Sequence, residues 1–418
     1  MAEVLEFDAI VIGTGFGGSV ATLRLAEQGY RVAALEQGRR VTGTEIEEAM
    51  QSPRKLFWAP RLGCSGYFTQ RVFKDVAIVG GVGVGGGSLV YGAVLLEPKA
   101  AFFEEPLWKQ LGIDLRSELE PHYATAQRML GRALTPHVGR MDRYLEATAK
   151  KLGVGTSYGP VPLGIYFAGP GVTQPDPFFR GKGPERAGCT QCGRCLTGCP
   201  SNAKNTLDKN YLHLAERLGA RVLPRQKVVS VRPFGDRYEV EAVDPLDAQR
   251  PARVFRAQRV FFAGGVLGTV ELLLRCRDEL QTLPGLSPCL GRRVRTNSEA
   301  IVGIEARRRD EDLSRGTAIS SHFYANAHTH ITQNRFPANY EFMKWYMGPL
   351  VEGDHPLLRA LKVLLIMLFT PWRTLRTLCT RRWHKRVSVL TVMQSLDSQN
   401  LAAPRALHPH RLSARSGQ

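Results

Sequence analysis

The chain has 418 residues, 43% apolar and 22% charged, a globular balance that excludes wholesale disorder and leaves room for two or three domains. Fifty-six basic against 38 acidic side chains leave a net charge of +18, which favours anionic surfaces such as phospholipid or a polyanionic cofactor. No nucleic-acid motif accompanies that charge and Arg is spread rather than striped, so nucleic acid is set aside as a partner.

Residues 7–12 are mostly apolar with no period-2 alternation, the pattern of a short strand buried on both faces. No basic segment precedes them, so no secretory signal is read at the start. Gly13, Gly15 and Gly18 come next with G-x-G-x-x-G spacing, and residues 19–28 have helical character with Gly29 as a stop. In such a unit the first glycine permits the tight turn, the second lets backbone approach a pyrophosphate, and the third lets helix and strand pack closely. The helix N-terminus then presents free N–H groups to the phosphates. A second strand, 31–35, ends at Glu36, whose carboxylate can accept hydrogen bonds from ribose hydroxyls. Strand, glycine turn, helix and acid together predict a dinucleotide site.

Residues 37–54 are polar and read as loop and helix. A glycine-rich stretch lies at 80–92, GGVGVGGGSLVYG; with seven glycines in thirteen residues it permits several positive-φ conformations and close backbone approach. Its apolar members, Val82, Val84, Leu89 and Val90, argue against a linker and for a loop that hugs a ligand. Residues 102–131 and 144–152 read as helices, 158–184 as irregular, and 205–218 as a helix closing at Gly219. Strands are expected at 222–231, 238–243 and 254–262. The last feeds AGGVLGTVELLL, a second strand–glycine turn–helix unit, so the nucleotide domain is expected to be discontinuous around an insertion of some 130 residues. From 299 to 332 strands are expected, anchored by Ile301, Ile304, Ile319 and Ile331. Residues 357–378 read as one helix and 387–393 as an alternating strand.

Four of the eight cysteines form the run Cys189-x2-Cys192-x2-Cys195-x3-Cys199-Pro200, beside Cys64, Cys276, Cys289 and Cys379 elsewhere. Such clustering points to a reducing compartment with a metal or redox site rather than a disulfide scaffold. The spacing is that of a bacterial ferredoxin segment, in which the fourth cysteine serves a second cluster. With one run only, a [4Fe–4S] cluster needs Cys199 to fold back or a remote thiol. Zinc and structural thiols are the alternatives. A cluster would favour an electron carrier over oxygen as acceptor.

These stretches together resemble the glucose–methanol–choline (GMC) oxidoreductases, in their bacterial cholesterol-oxidase-like branch. The resemblance rests on GTGFGGS at 13–19, Glu36, GVGVGGGSLVYGAV at 81–94, VFFAGGVLGTVELLL at 260–274 and LGRRVRTNSE at 290–299. Beyond residue 300 it thins to NAHTHI at 326–331 and the strand near 389–399. It implies an α/β protein: a discontinuous Rossmann-like FAD-binding domain plus an α+β substrate domain with an antiparallel sheet. Gly13, Gly15, Phe16, Gly17 and Gly18 would hold the FAD pyrophosphate and Glu36 the adenosine ribose. Gly83, Gly87, Ser88, Gly92 and Val94 would line the flavin. Val228 would meet the adenine, and Ala263, Gly264 and Gly265 would lie beside the nucleotide. Tyr91 stands where the family usually has Asn, and a Tyr there would crowd or restack the flavin ring. The implied reaction moves a hydride from the carbinol carbon of a sterol or other lipophilic alcohol to flavin N5, with coupled steroid isomerisation in cholesterol oxidases. The flavin supplies the hard chemistry and the protein the orientation and the base. Oxygen or an electron carrier would take the electrons.

The expected division is 1–98 and 221–298 for the two parts of the FAD-binding domain, 99–220 for a helical insertion with the cysteines, 299–396 for part of the substrate domain and 397–418 for a disordered tail. The family's catalytic histidine is expected in a C-terminal block not found here, which suggests a C-terminally truncated chain; the alternatives are an Fe–S-linked GMC alcohol dehydrogenase for a non-steroid substrate and a catalytically inactive flavin-binding fragment. His408 and His410 sit in a tail rich in Arg, Pro, Ala and Ser. The H-x5-H-x-H spacing of His322, His328 and His330 suits a metal or merely a sheet, with His328 and His330 on one face of an alternating strand. The segment 357–376 mixes Leu, Ile, Met and Phe with Arg359, Lys362, Arg373 and Arg376. It suits either peripheral membrane contact or burial with snorkelling ends. The longest apolar run, 363–369, is too short to span a bilayer. The expected location is cytoplasmic, with membrane-peripheral contact left open.

Overall fold

The structure, a computed structural model, describes residues 4–73, 76–338, 341, 343–344, 348–353, 355–395, 399–401 and 413–415. Strand β1 (Val4–Ile12) leads into helix α1 (Phe16–Glu27) and strand β2 (Val32–Leu35). Ala9, Ile10 and Val11 are fully buried, as the unbroken apolar run predicts for a central strand. Helix α1 buries Gly18, Ser19, Thr22, Leu23 and Ala26, one stripe at spacings of three and four. Gly29, at φ +82°, ends it, with its N–H bonded to Ala26 O.

Two helices of the insertion help to position the site: α2 (Arg140–Lys151) and α3 (Tyr211–Arg217). The expected helix over 205–218 is shorter than predicted. Residues 207–209 form a 3-10 turn and regular helix begins only at Tyr211, whose N–H is taken by the Asn210 side chain. Helix α3 packs on α1 through Tyr211, Leu212 and Ala215 against Leu23 and Ala26.

Strands β3 (Arg221–Leu223), β4 (Lys227–Phe234), β5 (Arg237–Val243) and β6 (Arg253–Phe262) complete a six-stranded sheet in the order β3-β2-β1-β6-β5-β4. Its first four strands are parallel, and β5 and β4 join antiparallel. The single strand expected over 222–231 is therefore two. Pro224, which has no N–H to give, breaks it, Arg225 takes φ +58°, and the halves become the two edge strands. Helix α4 (Gly265–Leu274) comes directly after β6. The nucleotide-type sheet thus draws on residues 4–35 and 221–262, discontinuous in the chain.

A second sheet is antiparallel, in the order β7 (Ala300–Glu305), β10 (Val387–Gln394), β9 (Thr329–Asn334), β8 (Ser321–Tyr324) and the short strand Gly159–Pro160. Val387 and Val389 face a core with Trp383, Phe336 and Tyr67; Phe323 meets Leu145 and Ala149 of α2. Of the expected anchors, Ile301 and Ile304 are 57% and 51% exposed: they lie on opposite faces of β7, an edge strand left uncovered at both positions. Residues 357–378 form two helices, α5 (Pro356–Phe369) and α6 (Pro371–Cys379), because Pro371 cannot continue α5. Gln399–Leu401 pairs with Ser413–Arg415. His408 and His410 lie outside the described residues.

Candidate functional site

β1 and β6 run parallel in register, Ile12 beside Phe262, so the turns at their C-terminal ends lie side by side. The Gly13 N–H bonds Leu35 O and the Ala263 N–H bonds Ile12 O, both at 2.8 Å. Gly13 sits at φ +102°, and a Cβ on it would stand 2.5 Å from Ala263 O; one on Gly18 would stand 2.0 Å from Gly13 O. Those two glycines are demanded by the packing itself. Gly15 and Gly17 differ: a Cβ on either would meet nothing within 4 Å. The open space lies at the N-terminus of α1, where backbone N–H groups are free to take an anion.

The second glycine stretch folds over the first. Gly86 approaches so closely that its Cβ would stand 2.7 Å from the Gly15 Cα. The Gly85 N–H donates to Thr14 Oγ1 at 3.2 Å, and that hydroxyl donates to Glu36 Oε2 at 2.7 Å. Glu36, at the end of β2, also accepts from the N–H groups of Thr14 and Gly38, at 3.2 and 2.9 Å. It is buried, and loss of solvent pushes its carboxyl above the ordinary range although these bonds pull the other way.

The remaining predicted residues divide between this cradle and its supports. Phe16 is exposed at its mouth, edge-on to Tyr91 with ring centroids 5.6 Å apart. Gly83 is tight against Arg39 O and Leu89, whereas Gly87 faces open space. The Ser88 side chain is turned inward: its hydroxyl donates to Gly85 O and accepts from the Leu207 N–H, so it braces the loop. The Tyr91 hydroxyl donates to Asn205 O at 2.7 Å, away from the cradle. Gly92 packs on Ile319, and Val94 bridges to Leu163. Val228 is buried in β4 opposite Ala242, two residues beyond Gln226, whose N–H bonds Glu36 O. Gly264 caps α4, and Gly265 takes φ +69° in open space. Sequence reasoning missed Thr14, the central hydroxyl of this network, and Asp208, whose buried Oδ1 has no hydrogen-bond partner among the described residues and lies beside Gly85. The signal for Thr14 was its place between Gly13 and Gly15; for Asp208 there was none.

Cys189, Cys192, Cys195 and Cys199 line one cavity with Lys204, Arg194 and Gly316. Among the described residues no group of three or more His, Cys, Asp or Glu side chains is placed to hold a metal ion. Burial pushes the Cys195 thiol up to about 12 and Cys189 up to about 11, and pushes the Lys204 ammonium down to about 8. Two of the three histidines lie in the antiparallel sheet, and His328 does not share a strand face with His330. His328 precedes β9 and is exposed, while His322 and His330 meet across the β8–β9 pair, Nδ1 to Nε2 at 2.8 Å. Tyr324 stacks on His330, and Lys99 Nζ stands 3.4 Å over the Tyr324 ring.

Among known proteins, the chain is 41% identical to a cholesterol oxidase of Mycobacterium tuberculosis over 94% of its own length and 70% of the relative's. The chain belongs to the GMC oxidoreductases, in their cholesterol-oxidase-like branch. A cholesterol oxidase of Acinetobacter baumannii is 37% identical over 94% of this chain and 72% of its own. The NAD(P)-binding Rossmann-like domain family matches residues 11–61, which include Gly13–Gly18 and Glu36. Pyridoxine 4-oxidase from Mesorbium loti superposes with a TM-score of 0.55 at 14% identity, covering 98% of this chain and 75% of that one. Formate oxidase superposes with a TM-score of 0.53 at 13% identity, covering 99% and 77%, and both show the shared fold. As a GMC oxidoreductase the chain is an FAD-dependent enzyme that oxidises CH–OH donors. The cradle fits that cofactor: two glycines press on backbone, and two leave room at a helix N-terminus.

Proposed function

We propose that this enzyme oxidises the ring hydroxyl of a sterol, or of a similarly lipophilic alcohol, to the ketone, with oxygen as electron acceptor. The observation that carries the reading is the 41% and 37% identity to cholesterol oxidases over 94% of the chain. FAD, when bound, supplies the oxidant that takes the hydride from the carbinol carbon. The chain's own residues hold it. Gly15, Phe16, Gly17 and Gly18 present the N–H groups of α1 to the pyrophosphate, Glu36 receives the ribose hydroxyls, and Gly83, Gly87, Tyr91, Gly92 and Val94 form the wall behind the ring. Val228 borders the adenine, and Ala263, Gly264 and Gly265 close the side of the nucleotide. We assign 1–98 and 221–298 to this FAD-binding domain, 99–220 to the insertion and 299–396 to the substrate domain.

Access to the substrate is assigned to α5 and α6. Leu364, Leu368, Phe369 and Trp372 are each more than 60% exposed, an apolar surface on a chain of net charge +18. That combination suits docking on an anionic lipid surface, where a sterol resides. No helix among the described residues is long and apolar enough to cross a membrane. A panel of 3β-hydroxysteroids, long-chain alcohols and short polar alcohols, assayed in air with ketone products identified by mass spectrometry, tests the substrate class. Ketone from the steroids with matching peroxide is expected; turnover confined to short polar alcohols contradicts it.

A further inference from the structure

The cysteine run lies outside the flavin cradle and the alcohol chemistry gives it no work. We propose that the cavity formed by Cys189, Cys192, Cys195 and Cys199 is the binding site of one [4Fe–4S] cluster. The fold itself answers the difficulty of the fourth thiol. The turn at Gly198, φ +101°, returns Cys199 to the cavity that the first three line, so one run supplies all four ligands without a remote cysteine. The four thiols line one shared space. A cubane cluster spreads its ligands farther apart than a tetrahedral ion does, because each thiolate binds a different iron.

The surroundings suit the sulfurs of a cluster. The N–H of Gln191 points at Cys189 Sγ at 3.4 Å and that of Ala318 at Cys195 Sγ at 3.5 Å. Backbone donors of this kind set the potential of iron–sulfur centres. Charge makes the stronger argument. Lys204 is fully buried and its ammonium donates to three backbone carbonyls, those of Leu89, Tyr91 and Cys195. Arg186 is 1% exposed and donates to Asn202 O, Lys204 O and the Asn205 side chain. Neither forms an ion pair with a carboxylate among the described residues; Asp208 acts on both only at a distance. Two buried cations without a counter-ion are expensive. Four thiolates around a 2+ core carry a net charge of about −2, which matches them. When a preassembled cluster arrives, four Fe–S bonds to the donor's thiolates break as four form to the cysteines, the four S–H protons pass to the departing thiolates, and no electrons change hands.

The site also has a position. Lys204 bonds the cavity wall at Cys195 O and the glycine stretch at Leu89 O and Tyr91 O, so the cavity stands one side chain behind the loop assigned to the flavin; a cluster there braces that loop, and oxygen remains the acceptor proposed above.

The test is to load the full chain anaerobically from a preassembled [4Fe–4S] donor, desalt it, and measure iron, acid-labile sulfide, zinc and flavin per chain. About four iron and four sulfide are expected, with a broad visible absorption beneath the flavin bands and an electron paramagnetic resonance signal on one-electron reduction. Less than about one iron per chain, or stoichiometric zinc, overturns the proposal. Cys195→Ser should abolish the iron. Because that residue is buried and its loss can disturb folding, the exposed Cys192→Ser is the second variant, expected to keep its flavin and lose most of the iron. Cys64→Ser and Cys289→Ser should keep both. Four irons retained in both Cys192→Ser and Cys195→Ser would overturn the assignment of ligands.

Discussion

At Gly13, Gly15 and Gly18 the same residue type does three different jobs, and substitution should separate them. Gly13→Ala forces a Cβ to 2.5 Å from Ala263 O at φ +102°, so it should destabilise the chain by about 2 kcal/mol or more in chemical denaturation. Gly15→Ala meets nothing within 4 Å and its backbone, φ −71°, is ordinary for alanine. It should leave stability of the FAD-free chain within about 0.5 kcal/mol. Fluorescence titration should nonetheless show FAD binding weakened about tenfold or more, equivalent to about 1.4 kcal/mol, because the methyl fills the space reserved for phosphate. His330 offers a pH test. Burial first, then repulsion from His322 and Lys99, holds it down at about 4, and His322 is also depressed. Tyr324 completes the set facing it. The unfolded chain, with His near 6.5, binds more protons between the two values, so this term is harmless above about pH 6.5 and lowers stability as pH falls toward 4. Denaturation at pH 7 and pH 5 should show His330→Gln losing less stability on acidification than the parent, by about 1–2 kcal/mol.

At the scale of elements, α2 is tied to the antiparallel sheet by one buried acid. Asp142 accepts from Arg335 at 2.8 Å, from Ser321 at 2.7 Å, from the Gly139 N–H at 2.8 Å, and from Ser320 and Gln333. Burial opposes its charge, but Arg335 and the hydroxyls outweigh it and hold the carboxyl below its usual range. Asp142→Ala leaves Arg335 buried and uncompensated, and should cost about 3–5 kcal/mol in the midpoint analysis of chemical denaturation. Helices α5 and α6 make the opposite case, apolar residues left in solvent. Leu364→Glu with Leu368→Glu should weaken co-sedimentation with phosphatidylserine vesicles about tenfold while the far-ultraviolet circular dichroism stays unchanged. These elements also show what could be read in advance. The strand–glycine–helix units at 4–27 and 253–274 were legible because spacing and backbone geometry coincide there. The breaks at Pro224 and Pro371 were carried by single prolines inside otherwise continuous apolar patterns. Ile301 and Ile304 were misjudged because β-pattern alone does not distinguish an edge strand from a central one. Asp142 carried no local signal: four of its partners lie some 180 to 190 residues away.

The whole molecule joins two sheets through loops that the chain visits out of order. The cradle takes Gly13–Gly18 from the first strand–helix unit, Glu36 from the residue after the second strand, the 80–92 stretch from the end of the hairpin Phe68–Val72 with Ala77–Gly81, and Ala263–Gly265 from 250 residues on. Such a site is invisible to any single window and legible only when the two glycine units are recognised as neighbours. The bonds of Ser88 to the Leu207 N–H and of Tyr91 to Asn205 O were illegible for the same reason: no local pattern announces the approach of 205–207. Electrostatics belongs to this scale as well. With a net charge of +18, vesicle binding should fall as salt rises from 50 to 500 mM, whereas the apolar contribution of α5 should persist.

The proposed reaction has this chain carry FAD and use it on the hydroxyl of a lipophilic alcohol. Anaerobic titration of the FAD-loaded chain with a 3β-hydroxysteroid, monitored by visible absorbance, tests it most directly. The flavin bands should bleach, completely at about one steroid per flavin, and air should restore the colour. A flavin that stays oxidised with excess steroid and with every long-chain alcohol offered, yet is reduced by dithionite, would contradict it.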